Sequence, residues 1–312
     1  MTDLGPSSRR LSIQTVSISL ALSLVAGACD LTEVSLTEPE PNVVVEAYAR
    51  ILPAGGGSIF AFLHGSVGVI GANSHGPEAL VRVVAENGTE VILDKAPTKQ
   101  CTYGSSPDPD PGRCYAGTLA ANFVRPSDRL VLKVDVLGGG LIEGGTTVPG
   151  SFGWTQPTGS EACMVTTGPV EFGWTPSDDT WAYIVDVMLT GVAPGLISLG
   201  VDNPSDSAVF NGLTISRDET TIAFPEDFSI DDGSDYEWPL ARLVEDGIQP
   251  GWAMHAYVMA IDRNFTNWVR GDAGFNPSGI VRIPSLRGEG TGVFGSGVLL
   301  TRRIAGSPSG CP

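Results

Sequence analysis

Most of this sequence consists of short runs rich in valine, isoleucine, threonine and aromatic residues, with glycine and proline between them. The run Arg129–Val136 is the most regular, because Leu130, Leu132, Val134 and Val136 alternate with other residues. Alternation of this kind places apolar side chains on one face of a β-strand. The 40 glycines and 23 prolines in 312 residues interrupt the chain too often for long helices, so we expect a mainly β fold.

Two segments predict β-hairpins. Ala79–Leu93 has two β-rich runs around Asn87 and Gly88, a dipeptide that supplies the positive φ angles of a tight turn. Val209–Ile215 has a similar central pair and predicts a second hairpin.

The spacing of the runs divides the chain into two domains. Residues 43–157 contain about seven short strand-like runs, the pattern of a β-sandwich. Residues 158–312 predict a second β-rich domain with one short helix. That helix is expected within Ser234–Gly247, where Pro239 suits the first turn and Gly247 suits the C-terminal cap. The expected fold is therefore two β-sandwich-like domains.

The N-terminal residues have the pattern of a targeting signal. Two arginines precede the uncharged run Leu11–Ala28, which ends in three small residues directly before Cys29. Residues 1–28 therefore resemble a bacterial lipoprotein signal peptide, and the resemblance implies that Cys29 receives diacylglycerol and becomes the mature N-terminus. A transmembrane helix is the alternative, since the run is close to the length that spans a bilayer.

The segment 29–42 differs in composition from what precedes it. It is acidic and contains prolines but few large apolar residues, so it predicts an extended, solvated tether. The resemblance implies lipid anchoring in the bacterial cell envelope, with the outer membrane as the main expectation. Asp30 keeps the inner membrane as an alternative, because some bacteria retain lipoproteins with this residue there.

The charge of the chain excludes one class of partner. The 18 basic and 35 acidic residues give a formal net charge of −17. Such a charge repels a phosphate backbone, and the sequence has no basic cluster that nucleic acid would need. We therefore expect a membrane as partner, through the lipid anchor, and no nucleic acid.

Four cysteines remain besides Cys29: Cys101, Cys114, Cys163 and Cys311. An even number suits disulfides in an exported protein, although four cysteines allow three pairings. Pairing Cys101 with Cys114 is favoured because it closes a short loop, and it leaves Cys163 for Cys311. A metal site is disfavoured, since no CxxC or Cys/His spacing is present.

Residues suited to catalysis are few. His64, His75 and His255 show no metal-binding spacing, and His64–Gly68 lacks the residue order of a nucleophile elbow. Among 35 acids no particular pair stands out as the carboxyl pair of a glycoside hydrolase. We therefore expect neither enzyme activity nor a required cofactor, with an envelope hydrolase as the lowest alternative.

Asp227–Glu237 is the candidate metal site of the sequence. Calcium prefers hard oxygen ligands, and four acids lie close together there: Asp231, Asp232, Asp235 and Glu237. The alternative is a solvated acidic loop that leads into a helix, whose N-terminus favours carboxylates.

Pro169–Leu189 resembles the opening of a fibronectin type III module. Trp174 ends one predicted strand, an acidic turn follows, and Tyr183 lies on the next strand. The resemblance implies that Tyr183 packs towards the Trp174 indole and that the second domain is fibronectin III-like.

The whole layout resembles an uncharacterised family of bacterial outer-membrane lipoproteins. The similarity rests on four points: Cys29, Glu38–Tyr48, Thr146–Pro149 and Gly290–Gly295. It implies that the first domain is an immunoglobulin-like or transthyretin-like sandwich of the carboxypeptidase-regulatory kind. Members are often encoded beside TonB-dependent receptors, which implies an accessory or binding role with an outer-membrane receptor as partner.

The favoured function is a membrane-anchored, non-enzymatic binding module, and a structural or assembly component of an envelope complex is the alternative. Sandwich scaffolds often carry recognition on loops, and His64–His75 and Cys101–Cys114 are the long candidate loops. Exposed Tyr103, Trp154 or Trp268 near those loops would favour binding.

Overall fold

The computed structural model describes residues 42–65, 77–101, 112–158, 163–214, 216–230, 237–270 and 283–307. These residues form eighteen β-strands, three α-helices and one 3₁₀ turn. The prediction of a mainly β protein is confirmed, and its sheets form a β-sandwich-type fold.

The strands fall on either side of the predicted domain boundary. Before it lie β1 (Val43–Ile51), β2 (Gly57–Gly65), β3 (Ala79–Ala85), β4 (Glu90–Ile92), β5 (Asp94–Ala96), β6 (Arg113–Leu119), β7 (Arg129–Val136), β8 (Leu141–Thr147) and β9 (Trp154–Gln156). After it lie β10 (Cys163–Val165), β11 (Val170–Trp174), β12 (Ala182–Thr190), β13 (Ser207–Leu213), β14 (Thr221–Phe224), β15 (Ser229–Ile230), β16 (Ala253–Ile261), β17 (Arg287–Gly288) and β18 (Gly290–Ala305). The helices are α1 (Ala193–Ser198), α2 (Glu237–Val244) and α3 (Arg263–Arg270), and the 3₁₀ turn is Thr98–Gln100.

These strands are divided among three sheets. The largest has ten strands in the order β15-β13-β12-β16-β18-β1-β2-β6-β5, with β10 paired to β18. A five-stranded sheet has the order β17-β8-β7-β3-β4, and a three-stranded sheet has the order β14-β11-β9.

The largest hydrophobic cluster contains residues from all three sheets. Val45 and Val185 come from the ten-stranded sheet, Leu132 from the five-stranded sheet and Phe172 from the three-stranded sheet, and all four are fully buried. Side chains of a common core are in contact across the sheets that contribute them. Both smaller sheets therefore pack with the large sheet around one core.

Strand β18 connects the two halves of the chain. It runs parallel to β1, from Val43 opposite Gly290 to Ile51 opposite Val298, and antiparallel to β16 on its other edge. Beyond the end of β1, β10 runs parallel to residues 303–305. The first and last strands described are thus neighbours in one sheet.

This pairing corrects the two-domain prediction. The expected boundary between residues 43–157 and 158–312 does not separate two sheets, and the described residues between 42 and 307 belong to one compact unit. The reason is that hydrophobic periodicity identifies strands and their buried faces but carries no information about distant partners.

One predicted hairpin is confirmed and the other is wrong. In the first, β3 pairs antiparallel with β4, Gly88 has a φ angle of 83°, and Asn87 Oδ1 accepts a hydrogen bond from the Thr89 N–H at 2.9 Å. In the second, Val209–Leu213 lies inside the continuous strand β13 and contains no turn.

The helix predicted within Ser234–Gly247 is observed as α2. Leu240 and Val244 are buried on its inner face, and Gly247 donates its N–H to Val244 O at 2.7 Å. In the part of the chain that the structure describes, no helix has both the length and the apolar character needed to cross a membrane.

Trp174 and Tyr183 pack together as expected. Their ring centroids are 5.1 Å apart with the planes inclined by 54°, and both side chains are buried. Trp174 ends β11 and Tyr183 lies in β12. The contact therefore joins the three-stranded sheet to the ten-stranded sheet.

Candidate functional site

A cleft of about 380 Å³ lies among the start of β7, the end of β8, the turn between β11 and β12, and the first turn of α3. Six residues carry its chemistry: Arg129, Thr147, Asp179, Trp181, Asp262 and Arg263. Its size is in the range of small-molecule sites, and most of these residues are polar or charged.

Asp262 is the buried carboxylate of this cleft and is only 4% exposed. Its Oδ1 accepts hydrogen bonds from the N–H groups of Phe265 at 2.9 Å and Ser296 at 3.2 Å. Its Oδ2 accepts the Thr146 hydroxyl at 2.6 Å. The bond from Phe265, three residues further on, is an N-cap of α3. Asp262 thus ties α3 to β8 and β18.

The Asp262 carboxyl has a raised pKa. Burial raises the pKa above its ordinary value, and the hydrogen bonds that the carboxylate accepts oppose this rise, because they favour the charged form. A hydrolytic carboxyl group must direct an oxygen at the substrate. Both oxygens of Asp262 are instead engaged within the protein, so the arrangement is that of a structural residue.

The floor of the cleft is fixed by further polar contacts. Asn264 Nδ2 donates to Gly145 O and to Phe294 O, both at 2.9 Å. The Ser296 hydroxyl donates to Thr147 O at 3.2 Å. These bonds join α3, β8 and β18 and hold the cleft residues of α3 and β8 in place.

The turn between β11 and β12 presents Trp181 to the cleft. The backbone N–H of Trp181 donates a hydrogen bond to Ile261 O at 2.9 Å, and the Thr180 hydroxyl lies 3.2 Å from the same oxygen. Asp179 has a φ angle of 56°, a left-handed conformation that Asp adopts more readily than most residues. Trp181 remains 44% exposed, and Arg263 Cζ lies 5.2 Å from its ring centroid.

Arg129 and Arg263 bring positive charge to the cleft of an acidic protein. Both are exposed, and within the described ranges neither forms an ion pair with Asp or Glu. A guanidinium group is a planar set of donors that matches the oxygens of carboxylates and phosphates. The two groups are therefore available to an anionic ligand.

The histidines do not line this cleft. His64 Nε2 lies 3.5 Å from Glu46 Oε1. His255 lies in β16, where burial, and then the positive charge of Arg303, lower its pKa below the ordinary value. His75 lies outside the described residues.

The structure contains the favoured disulfide. Cys101 and Cys114 are bonded with an S–S distance of 2.07 Å. Cys163 is also disulfide-bonded, whereas Cys311, its expected partner, lies outside the described residues. The predicted lipid attachment point Cys29 also lies outside them.

The calcium hypothesis stays a prediction. Asp231, Asp232 and Asp235 lie outside the described residues, and Glu237 is an exposed residue at the start of α2. In the described ranges, no three His, Cys, Asp or Glu side chains are grouped as a metal site requires.

The aromatic residues expected at a binding surface are placed differently. Tyr103 lies outside the described residues, and Trp154 is partly buried. Trp268 is only 9% exposed, so it does not provide the exposed aromatic surface that would favour binding. The aromatic residue of the cleft is instead Trp181, which the sequence did not single out.

One local signal for the cleft was present in the sequence. Asp262 directly precedes the short helical run Arg263–Arg270, which is the position of an N-cap acid. Arg129 and Trp181 belong to no motif, since they reach the cleft only through long-range pairing.

Asp186 is a partly buried acid, on the face of β12 opposite the core residues Val185 and Val187. Its cross-strand neighbours are Asn211 and Tyr257. Burial raises the pKa of Asp186 to about 6, and the positive charge of Arg50 opposes this rise. Asp186 therefore titrates close to neutral pH.

Replacing Asp186 by Asn is expected to stabilise the protein at pH 7.5. An unfolded Asp has a pKa of about 3.9, so the native state binds the proton more tightly, and stability falls as pH rises from about 4 to about 6. Asp186→Asn removes this loss, which we expect to raise the free energy of unfolding at pH 7.5 by about 2 kcal/mol. Urea unfolding at pH 4 and pH 7.5 measures it. An equal effect of Asp94→Asn, at an exposed position, would contradict this account.

Comparison with known proteins gives little similarity. No protein-family model and no curated protein sequence matches the chain. Among solved structures, a DUF4785 family protein of Legionella pneumophila shares 11% identity, with a TM-score of 0.22, over 72% of this chain and 52% of that one. The chain spans about half the length of that protein, and a similarity this weak carries no argument about function.

Proposed function

We propose that this chain is a lipid-anchored lipoprotein of the bacterial envelope that acts as a non-enzymatic binding module. Its binding site is the cleft formed by Arg129, Trp181 and Arg263. The observation that carries the proposal is the combination of an exposed indole with two guanidinium groups that have no ion-pair partner among the described residues.

The rigidity of the surroundings supports binding. Asp262 and Asn264 connect α3 to β8 and β18. The backbone N–H of Trp181 donates a hydrogen bond to Ile261 O at the end of β16. Binding groups held in position by a folded scaffold lose little conformational entropy when a ligand arrives. The cleft is therefore organised before it is occupied.

The charge distribution supports binding rather than hydrolysis. Asp262, the buried acid of the cleft, has both oxygens engaged by protein donors. Asp179 is exposed at the rim. Glycoside hydrolysis needs two carboxyl groups that both act at the substrate, and of the two acids that line the cleft Asp262 is not available for this role.

The location in the proposal rests on the sequence. The signal-like segment before Cys29 and the acidic tether of residues 29–42 favour attachment to the envelope through lipid. Association with an outer-membrane receptor remains part of the proposal, on the resemblance to lipoproteins encoded beside such receptors.

A ligand panel tests the binding function. We expect at least one polar ligand, from neutral and acidic oligosaccharides and small carboxylates, to raise the melting temperature of the full-length chain in detergent. Trp181→Ala should weaken binding of that ligand by about tenfold, because it removes the exposed indole. Isothermal calorimetry gives the dissociation constants.

Trp238→Ala is the matched control. Trp238 is 70% exposed on α2, and Arg242 Cζ lies 5.7 Å from its ring centroid, so its surroundings are similar to those of Trp181. It lies outside the cleft. Equal losses in the two variants, or a panel without any ligand, would reject the cleft as the binding site.

A further inference from the structure

We infer that the ligand of this cleft is a saccharide that carries a carboxylate group, such as a uronic acid unit of an acidic glycan. The inference rests on the proposed binding function and names its ligand class. It starts from the types of hydrogen-bonding group that the cleft leaves available.

The available donors favour an anionic group such as a carboxylate. Arg129 and Arg263 are exposed at the cleft and, in the described part of the chain, unpaired with Asp or Glu. A guanidinium binds a carboxylate through two parallel hydrogen bonds, an arrangement with strong geometric preference. The Asn264 amide donors, in contrast, are used by Gly145 O and Phe294 O. The two arginines are therefore the residues that can bind an anion in this cleft.

The helix N-terminus in the cleft disfavours a phosphate. Free N–H groups at the start of a helix are a common phosphate site. In α3 the cap is already formed, because Asp262 Oδ1 accepts the Phe265 N–H at 2.9 Å. The exposed carboxylate of Asp179 also lines the cleft, and it repels a dianion more strongly than a singly charged carboxylate.

The remaining groups suit a sugar ring. Trp181 offers an exposed aromatic surface of the kind on which the apolar face of a sugar packs. Thr147 and Asp179 are exposed at the rim, where a hydroxyl and a carboxylate can bind sugar hydroxyls. A cleft of about 380 Å³ accommodates a short saccharide rather than a single small anion.

Trigalacturonic acid and its fully methyl-esterified form test the inference. The two ligands have the same rings, and only the acid carries charge. With the full-length chain in detergent, calorimetry should give a dissociation constant at least tenfold lower for the acid. Arg129→Gln and Arg263→Gln should each raise the constant for the acid about tenfold, because each removes a charge-assisted hydrogen bond. Their effect on the ester should be small.

Arg287→Gln is the control variant, at an exposed position of β17 outside the cleft. Circular dichroism and the melting temperature establish that all three variants are folded.

Equal affinity for acid and ester would overturn the carboxylate assignment while leaving the binding function intact. If the protein preferred the acid but all three variants lost the same affinity for it, the assignment of the ligand to this cleft would be overturned. If neither the acid nor the ester bound, while a neutral ligand of the panel bound in a way that depends on Trp181, the inference alone would be overturned. If no ligand of the panel bound, the proposed function would be overturned as well.

Discussion

A Gly292→Ala variant should lose about 3 kcal/mol of stability, from a strained backbone and a steric clash together. Gly292 lies in β18 with a φ angle of 138°, which side chains rarely allow. A Cβ at this position would lie 2.0 Å from Val45 O on β1. The substitution therefore separates the two strands that join the halves of the ten-stranded sheet. Urea unfolding monitored by circular dichroism gives the free energy of unfolding.

Gly138→Ala separates the two causes. Gly138 has a φ angle of 77°, and no atom lies within 4 Å of the Cβ that alanine would add. Only the backbone term applies there, so a loss of about 1 kcal/mol is expected. If Gly292→Ala cost no more than Gly138→Ala, the close approach of β1 to β18 would be in error.

Trp174→Ala should cost about 4 kcal/mol, the usual range for deleting a buried aromatic side chain. Trp174 is 2% exposed and packs on Tyr183, so its removal leaves a cavity between the three-stranded and ten-stranded sheets. Thermal and urea unfolding measure the loss. Near-ultraviolet circular dichroism should also change, because Tyr183 loses its aromatic neighbour.

The exposed Trp238 provides the comparison for this substitution too. Trp238→Ala should change the free energy of unfolding by about 0.5 kcal/mol or less, as for most surface positions. A loss for Trp174→Ala as small as that for Trp238→Ala would mean that the two sheets do not share the core described above.

Local sequence signals predicted local structure with one instructive failure. Asn87 and Gly88 form the expected turn, whereas Asn211 and Gly212 lie within β13. At Gly212 an added Cβ would lie 2.7 Å from the Ile222 side chain. Gly212 thus lies in a closely packed strand and not in a turn, and a dipeptide alone does not distinguish these two settings of a glycine.

Long-range organisation could not be predicted in the same way. The regular alternation in Arg129–Val136 correctly identified β7 and its buried face. Nothing in the apolar residues of β1 or β18 specifies that one strand lies beside the other, because any strand with a suitable apolar face could take that place. The two-domain prediction failed for this reason, although individual strands such as β3, β4 and β7 were identified.

The cleft could not be predicted from the sequence for a related reason. Arg129, Trp181 and Arg263 are far apart along the chain and have no common spacing. The predicted recognition loops were instead continuous stretches rich in glycine and proline, which sequence inspection finds easily. Only the cap position of Asp262 carried a local clue, and it pointed to a helix start rather than to a ligand.

The neighbouring positions of β1 and β18 also affect how the protein folds. A chain made from its N-terminus completes β1 early but cannot pair its second edge until β18 has been synthesised. Contacts between such distant segments slow folding, because a long loop must close before they form. Until then β1 is an unpaired strand edge, the kind of surface that promotes aggregation. Chaperone protection of the nascent chain is therefore most valuable in the interval before residues 290–305 emerge.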